Sequence, residues 1–175
     1  MLKEISYKDL KLNPMTLFAD EWAALSSGNA ESGHNSMCIA WGHLGTIWER
    51  ENHSKRIPTA VCFVRPHRYT KILMDKSDTF SISFFPAEYK KTLGYLGSKS
   101  GRNEDKLTNC ALTPVYEDGT VYFSEANLVF ICKTLYHAPL SESGFMDKDL
   151  IDFNYPNKDF HEMYVGEIVK VLKSE

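Results

Sequence analysis

A series of short strand-like runs limits the possible folds of this chain more than any other feature. Residues 58–64 are almost continuously apolar and rich in β-branched side chains, and residues 79–84 alternate apolar side chains with hydroxyls. Glu117-Asp118-Gly119-Thr120 is a hairpin turn joining residues 113–116 to 121–124. Residues 127–136 alternate along their length, and 164–172 close the chain as a strand. Two shorter runs, 21–25 and 36–42, precede these, with a loop expected over the Gly-, Ser- and Asn-rich residues 26–35. Helices are few and short: 69–76, then 86–93 with Pro86 at its first position and a stop at Gly94 or Gly97. Lys106–Asn109 reads as a helical turn, and residues 139–161 as a loop with one further turn. Residues 1–21 read as a leader packing on the domain surface. Six or seven strands with two or three short helices predict a mainly β, α+β chain, a β-barrel decorated by helices. No G-x-G-x-x-G is present, which argues against a doubly wound dinucleotide fold.

At 175 residues the chain is most simply one domain, and its 43% apolar and 25% charged residues are ordinary for a globular protein. A net charge of −3 argues against a general nucleic-acid binder, while leaving room for a local basic pocket. No apolar run approaches the roughly 18 residues of a membrane span. Met1–Ser6 lacks the charged head and apolar stretch of a signal peptide. Cys38, Cys62, Cys110 and Cys132 form no C-x-x-C pair, and three of them sit in apolar runs as small hydrophobes. A reducing cytoplasm is the compartment expected.

Chemistry concentrates in four stretches. Val61–Thr70 reads as a buried strand ending in a cationic corner, Arg65-Pro66-His67-Arg68-Tyr69-Thr70, with a helix start behind it. Arginines in that setting suit a phosphate or carboxylate; a strand–helix corner with solvated arginines is the plainer reading. A second stretch, Gly97-Ser98-Lys99-Ser100-Gly101-Arg102-Asn103-Glu104-Asp105-Lys106, combines glycine freedom with hydroxyl and cationic donors. It lacks the GK[ST] ending of a Walker A loop. Paired with the corner, it suggests one phosphate held from two sides. The third, Asn35 to Gly42, is an apolar strand edge that could lie along a planar heterocycle or be plain core. The fourth is the hydroxyl face of Ser81 and Ser83.

Together, Asn35…Ala40-Trp41-Gly42-His43-Leu44-Gly45…Trp48, the 64–70 corner, Phe80-Ser81-Ile82-Ser83 and the 97–106 loop strongly resemble the flavin reductase-like family, and within it the flavoredoxins. Cys132-Lys133 and His161–Ile168 resemble it too. The resemblance runs from about Trp22 to the C-terminus. It implies an FMN-binding split barrel, a homodimer with FMN held non-covalently in a cleft near the subunit interface. By the same resemblance Arg65, Arg68 and Thr70, with Ser100, Arg102 and Lys106, sit near the FMN phosphate, and Tyr69 and Gly101 also belong to the cofactor-binding set. Asn35, Ser36, Met37, Cys38 and Ala40 run beside the ribityl chain and isoalloxazine, Trp41 lies near the ring, and Ser81 and Ser83 line the ribityl chain. Electrons would pass from NAD(P)H to FMN and on to a small acceptor. The rival reading is a flavoredoxin-like carrier fed by a ferredoxin-like protein without nicotinamide turnover, or a non-catalytic flavin-binding module.

The remaining residues fit this expectation loosely. His34, His43, His53 and His67 show no metal-ligand spacing, so no metal is assigned. His161 either faces the cofactor or is structural, and His137 reads as structural. Trp22 and Trp48 read as core or interface anchors. Asp147-Lys148-Asp149 reads as a solvated turn, and no catalytic residue is assigned.

Overall fold

The chain begins inside the sheet rather than beside it. In the computed structural model, which describes residues 1–51 and 56–175, β1 (Leu2–Ile5) pairs antiparallel with the end of the final strand, Leu2 opposite Ser174. Residues 1–21 therefore contribute more than a surface leader. α1 (Pro14–Thr16) starts on Asn13, whose Oδ1 accepts from the Met15 N–H at 3.1 Å, and passes into a π turn, Leu17–Glu21. That turn buries Leu17 and Phe18 in the core. His53 lies outside the described residues.

β2 (Ala23–Asn29) and β3 (Gly33–Ile39) form a hairpin across most of the segment expected to be a loop. The serines lie inside because their hydroxyls are satisfied there. Ser26 Oγ and Ser36 Oγ are 2.6 Å apart, and Ser27 Oγ donates to the Thr79 carbonyl. β4 (Gly42–Glu49) pairs with β5 (Arg56–Val64) at the sheet edge. Nothing in the sequence betrays β4: it is mostly exposed and carries no apolar alternation.

α2 (Tyr69–Met74) and β6 (Thr79–Phe84) fall where the sequence places a helix and a strand. A 3-10 turn then leads into α3 (Lys90–Ser98), which runs through both expected glycine stops. Leu93 and Leu96 are buried beneath it, outweighing the roughly 1 kcal/mol that each helical glycine costs. Residues 106–109 make turns without helix. β7 (Pro114–Glu117) and β8 (Thr120–Phe123) form the expected hairpin, with Asp118 and Gly119 at positive φ. β9 (Leu128–Pro139), α4 (Asp149–Asn154) and β10 (Glu162–Ser174) complete the chain. Asp149 begins α4, so the solvated turn expected at 147–149 is a helix start.

Strand order is β3-β2-β6-β9-β10-β5-β4, with β1 beside β10 and every pairing antiparallel. This is the mainly β split barrel with short helices that the sequence predicts. Phe80, Ile82, Phe84, Phe130 and Tyr164 fill its interior. A second core layer of Leu93, Leu96, Phe123, Val129 and Ile131 lies between the sheet, α3 and the β7–β8 hairpin. No helix of the described residues is long and apolar enough to cross a membrane.

Candidate functional site: a cationic pocket joined to an open groove

The site begins where β5 ends. Val64 is buried, Pro66 turns the chain, and Arg68 caps α2 after donating its N–H to the Arg65 carbonyl at 3.1 Å. Arg68 Nη1 then donates to the Gly97 carbonyl at the end of α3 (2.8 Å). Arg102 Nη1 reaches back to the His67 carbonyl (2.7 Å) with its guanidinium over the Tyr69 ring. These contacts bring the two stretches together although they are some thirty positions apart in sequence.

Between them lies a pocket of about 260 Å³. Arg68, Lys99, Arg102 and Lys106 line it with Thr70 and Ser100, and among the described residues no carboxylate does. Lys106 is the unusual member. Its ammonium is buried and donates to the Leu96 and Lys99 carbonyls at 3.0 and 3.2 Å. Burial first, and the neighbouring Arg68 second, lower its pKa to about 8. Thr70 Oγ1 is held by the buried Asn35 Nδ2 at 2.7 Å. Gly101 is tied to this arrangement, because a Cβ there would stand 2.4 Å from Asn35 Oδ1 and 2.9 Å from the Tyr69 ring.

The pocket continues, past Met37 and Arg68, into a groove of about 180 Å³ along Cys38, Ile39, Ala40 and Trp41. Phe63, Arg65 and His161 form its opposite side. The Trp41 and His161 rings lie 4.8 Å apart, and His161 Nδ1 meets the Tyr155 hydroxyl at 2.9 Å. Burial, then Arg65, lowers the His161 pKa to about 4, so the ring is neutral at physiological pH. Burial pushes the Cys38 thiol up to about 11 against the pull of Lys90 and Arg68, leaving it a poor nucleophile.

Most of the residues expected at the site do line this continuous surface: Asn35, Met37, Cys38, Ala40, Trp41, Arg65, Arg68, Tyr69, Thr70, Ser100, Arg102 and Lys106. Gly101 stands behind it. Three expectations need correction. Arg65 is not part of the phosphate pocket: its guanidinium is spent on Asp159 Oδ2 (2.6 Å) and the Asn154 carbonyl (2.8 Å) beside the groove. Ser81 and Ser83 lie fully buried in the second core layer, where Ser81 Oγ donates to the Val121 carbonyl. The β7–β8 hairpin packs over their face. The Ser36 hydroxyl likewise points inward, at Ser26.

Sequence reasoning assigned no role to Lys99, His67, Phe63 or Ile39, all of which line the surface. Lys99 stood inside the Gly-Ser-Lys stretch, and Phe63 was legible as the outward residue between buried Cys62 and Val64. His34 contacts the Tyr116 hydroxyl, and Trp22 lies beneath Lys90. His137 stacks on Tyr164 and contacts Glu162. Asp75, His137 and Glu162 converge, with the Lys71 ammonium 2.7 and 2.8 Å from the two carboxylates as their counter-ion.

The arrangement is an antiparallel split barrel with a cationic pocket opening into an elongated groove. The sequence model of the flavin reductase like domain matches residues 54–175, most of the chain, and the protein belongs to that family. Its fold is shared with the FMN-binding domain of a flavin reductases-like enzyme from Shewanella baltica OS155 (TM-score 0.65, 14% identity, 99% of this chain and 77% of that one). Flavoredoxin of Desulfovibrio vulgaris (Miyazaki F) superposes with TM-score 0.64 at 21% identity, over 100% of this chain and 78% of that one. Nitrilotriacetate monooxygenase component B from Bacillus cereus gives 0.65 at 16% identity, over 100% and 82%. No curated protein resembles the chain closely enough in sequence to count as a relative.

Proposed function

We propose that this protein is an FMN-binding oxidoreductase that carries electrons from NAD(P)H, through non-covalently held FMN, to a small acceptor. One observation carries the reading: a pocket of about 260 Å³ lined by four cations shares Met37 and Arg68 with a groove of apolar, aromatic and cationic side chains that runs to Trp41. Arg68, Lys99, Arg102 and Lys106, with Thr70 and Ser100, would hold the phosphate. Residues 37–41, Trp41 and the neutral His161 would border the ring. When bound, FMN supplies reversible one- and two-electron transfer. The chain's own contribution is to hold, orient and partly dry the cofactor. Arg65, tied to Asp159, keeps a positive charge beside the groove and adds to burial in holding His161 neutral. We further propose a homodimer in the cytoplasm, a compartment that suits four free cysteines.

A second reading, the flavoredoxin-like carrier without nicotinamide turnover, has one observation in its favour. Beyond the Trp41 end of the groove no Lys or Arg among the described residues lines the cavity as a ready partner for a dinucleotide diphosphate. Purified protein should carry or take up flavin, read from its visible absorption. Anaerobic mixing with NADH or NADPH should bleach that absorption within seconds. Bleaching only by a ferredoxin-like donor would establish the carrier, and no bleaching by either a non-catalytic flavin module. A chain that stays colourless with added FMN would refute all three.

A further inference from the structure

Beyond Trp41 the groove opens into a chamber of about 480 Å³, the right size for a small ring compound. Ala40, Trp41 and Phe63 border both spaces, so the chamber is the groove's own extension. One wall is Pro14, Met15, Phe18 and Ala19, from α1 and its π turn; the facing wall is Gly42, His43 and Leu44 of β4. Gly42 is what lets these walls meet. A Cβ there would stand 2.3 Å from the Phe18 ring, so any side chain would push the turn outward. Both walls lie outside the region, 54–175, in which the chain matches its family. Phe63, Leu140 and Tyr155 close the chamber from within that region.

The lining chemistry names the occupant. Among the described residues no Lys, Arg, Asp or Glu lines the chamber; His43, edge-on to Phe63, and Tyr155 are its polar members. A charged ligand would leave its charge unpaired among apolar and aromatic surfaces, at considerable cost. A flat uncharged ring would instead bury its faces against Trp41, Phe63 and Phe18. We propose that this chamber binds the acceptor as an uncharged aromatic or quinone-type ring beside the flavin groove. The proposal rests on the flavin reading for the word acceptor, and on the chamber alone for the ligand class.

The test uses two probes of similar size, nitroanisole (uncharged) and nitrobenzoate (anionic), dialysed to equilibrium against the full-length chain with and without FMN. With FMN present to occupy the cationic pocket, nitroanisole should bind at least about tenfold more tightly than nitrobenzoate. Ala19→Trp, at an exposed wall position, should weaken nitroanisole about tenfold while leaving FMN uptake unchanged. Met15→Lys, at a position 75% exposed, should narrow the gap between the probes. Equal binding of the two probes overturns the proposal, as does unaltered nitroanisole affinity in a folded Ala19→Trp chain. So does an affinity that falls as protein concentration rises, since a second copy would then fill the chamber. Nitroanisole binding by a chain that refuses FMN would sink the flavin reading and leave the chamber standing.

Discussion

Lys106 is where a single residue says most about the site. A buried ammonium held only by neutral carbonyls has given up hydration without gaining a counter-ion, which is why its pKa falls to about 8. An anion in the pocket supplies that counter-ion and restores the protonated form. FMN affinity should therefore be flat between about pH 7 and 8, above the second ionisation of the FMN phosphate at about 6, and fall as pH rises through about 8, while Lys106→Met should show no fall through pH 8 and bind about 10–100-fold more weakly at neutral pH. Flavin fluorescence titrations across that range check both. Stability moves the opposite way. The folded pKa lies below the ordinary 10.5, so the unfolded chain binds the proton more tightly between them, and the flavin-free protein gains stability as pH rises from about 8 to 10.5. The cationic character of Arg68, Arg102 and Lys106 was legible because two short stretches carried it. Arg65 was misread because its partner, Asp159, is 94 positions away and no local pattern announces it. Ser81 and Ser83 failed for a related reason: alternation marks a polar face without saying whether water or a hairpin covers it.

Elements hold those residues in place, and two positions on β10 test how. Glu162 ties β10 to α2 through Lys71 at 2.8 Å, and so fixes the helix that carries Tyr69 and Thr70. Burial alone would raise the Glu162 pKa, but hydrogen bonds from Lys71 and His137 outweigh it and hold the carboxyl below 4.5. The pair therefore stabilises the fold above pH 4.5, and its contribution is lost as pH falls through the depressed value. Glu162→Gln should cost about 1–2 kcal/mol in urea unfolding at neutral pH and almost nothing in acid. Gly166 is the tighter case: a Cβ there would meet the Phe80 ring at 2.6 Å and the Cys132 Cβ at 2.9 Å, both fully buried. Gly166→Ala should destabilise by about 1–3 kcal/mol through overpacking, measurable as a lowered urea midpoint. At this scale the sequence was read best where chemistry was local. The Asp118-Gly119 turn fixed the β7–β8 hairpin, whereas the serine-rich β2–β3 hairpin passed for a loop because its hydroxyls find partners only across strands. The exposed edge strand β4 left no pattern at all.

The barrel as a whole remains open, with β3 at one end of the strand order and β4 at the other. The register between β4 and β5 breaks between Thr46 and Glu49, and Trp48 sits there at φ 64. A non-glycine residue in that conformation costs about 1–2 kcal/mol, and here the indole lies 46% exposed. Tyr136 of β9, equally exposed, meets it edge-on at 6.3 Å, and Ile47 beside it is 43% exposed. Strain retained to present an aromatic pair to solvent makes sense if a surface covers that pair, and the proposed homodimer supplies one. The edge of β4 has the right form, because a bulge and bulky side chains favour packing over runaway strand pairing. Trp48→Glu combined with Tyr136→Glu should then give a monomer by analytical ultracentrifugation at concentrations where the parent is dimeric. Far-UV circular dichroism should be unchanged, since neither side chain belongs to either core cluster. A parent chain that sediments as 20.0 kDa at every concentration would remove the dimer and leave the Trp48 strain without a purpose. Dimerisation that survives the double substitution would move the interface to another face while leaving the flavin groove untouched, because neither residue lines it.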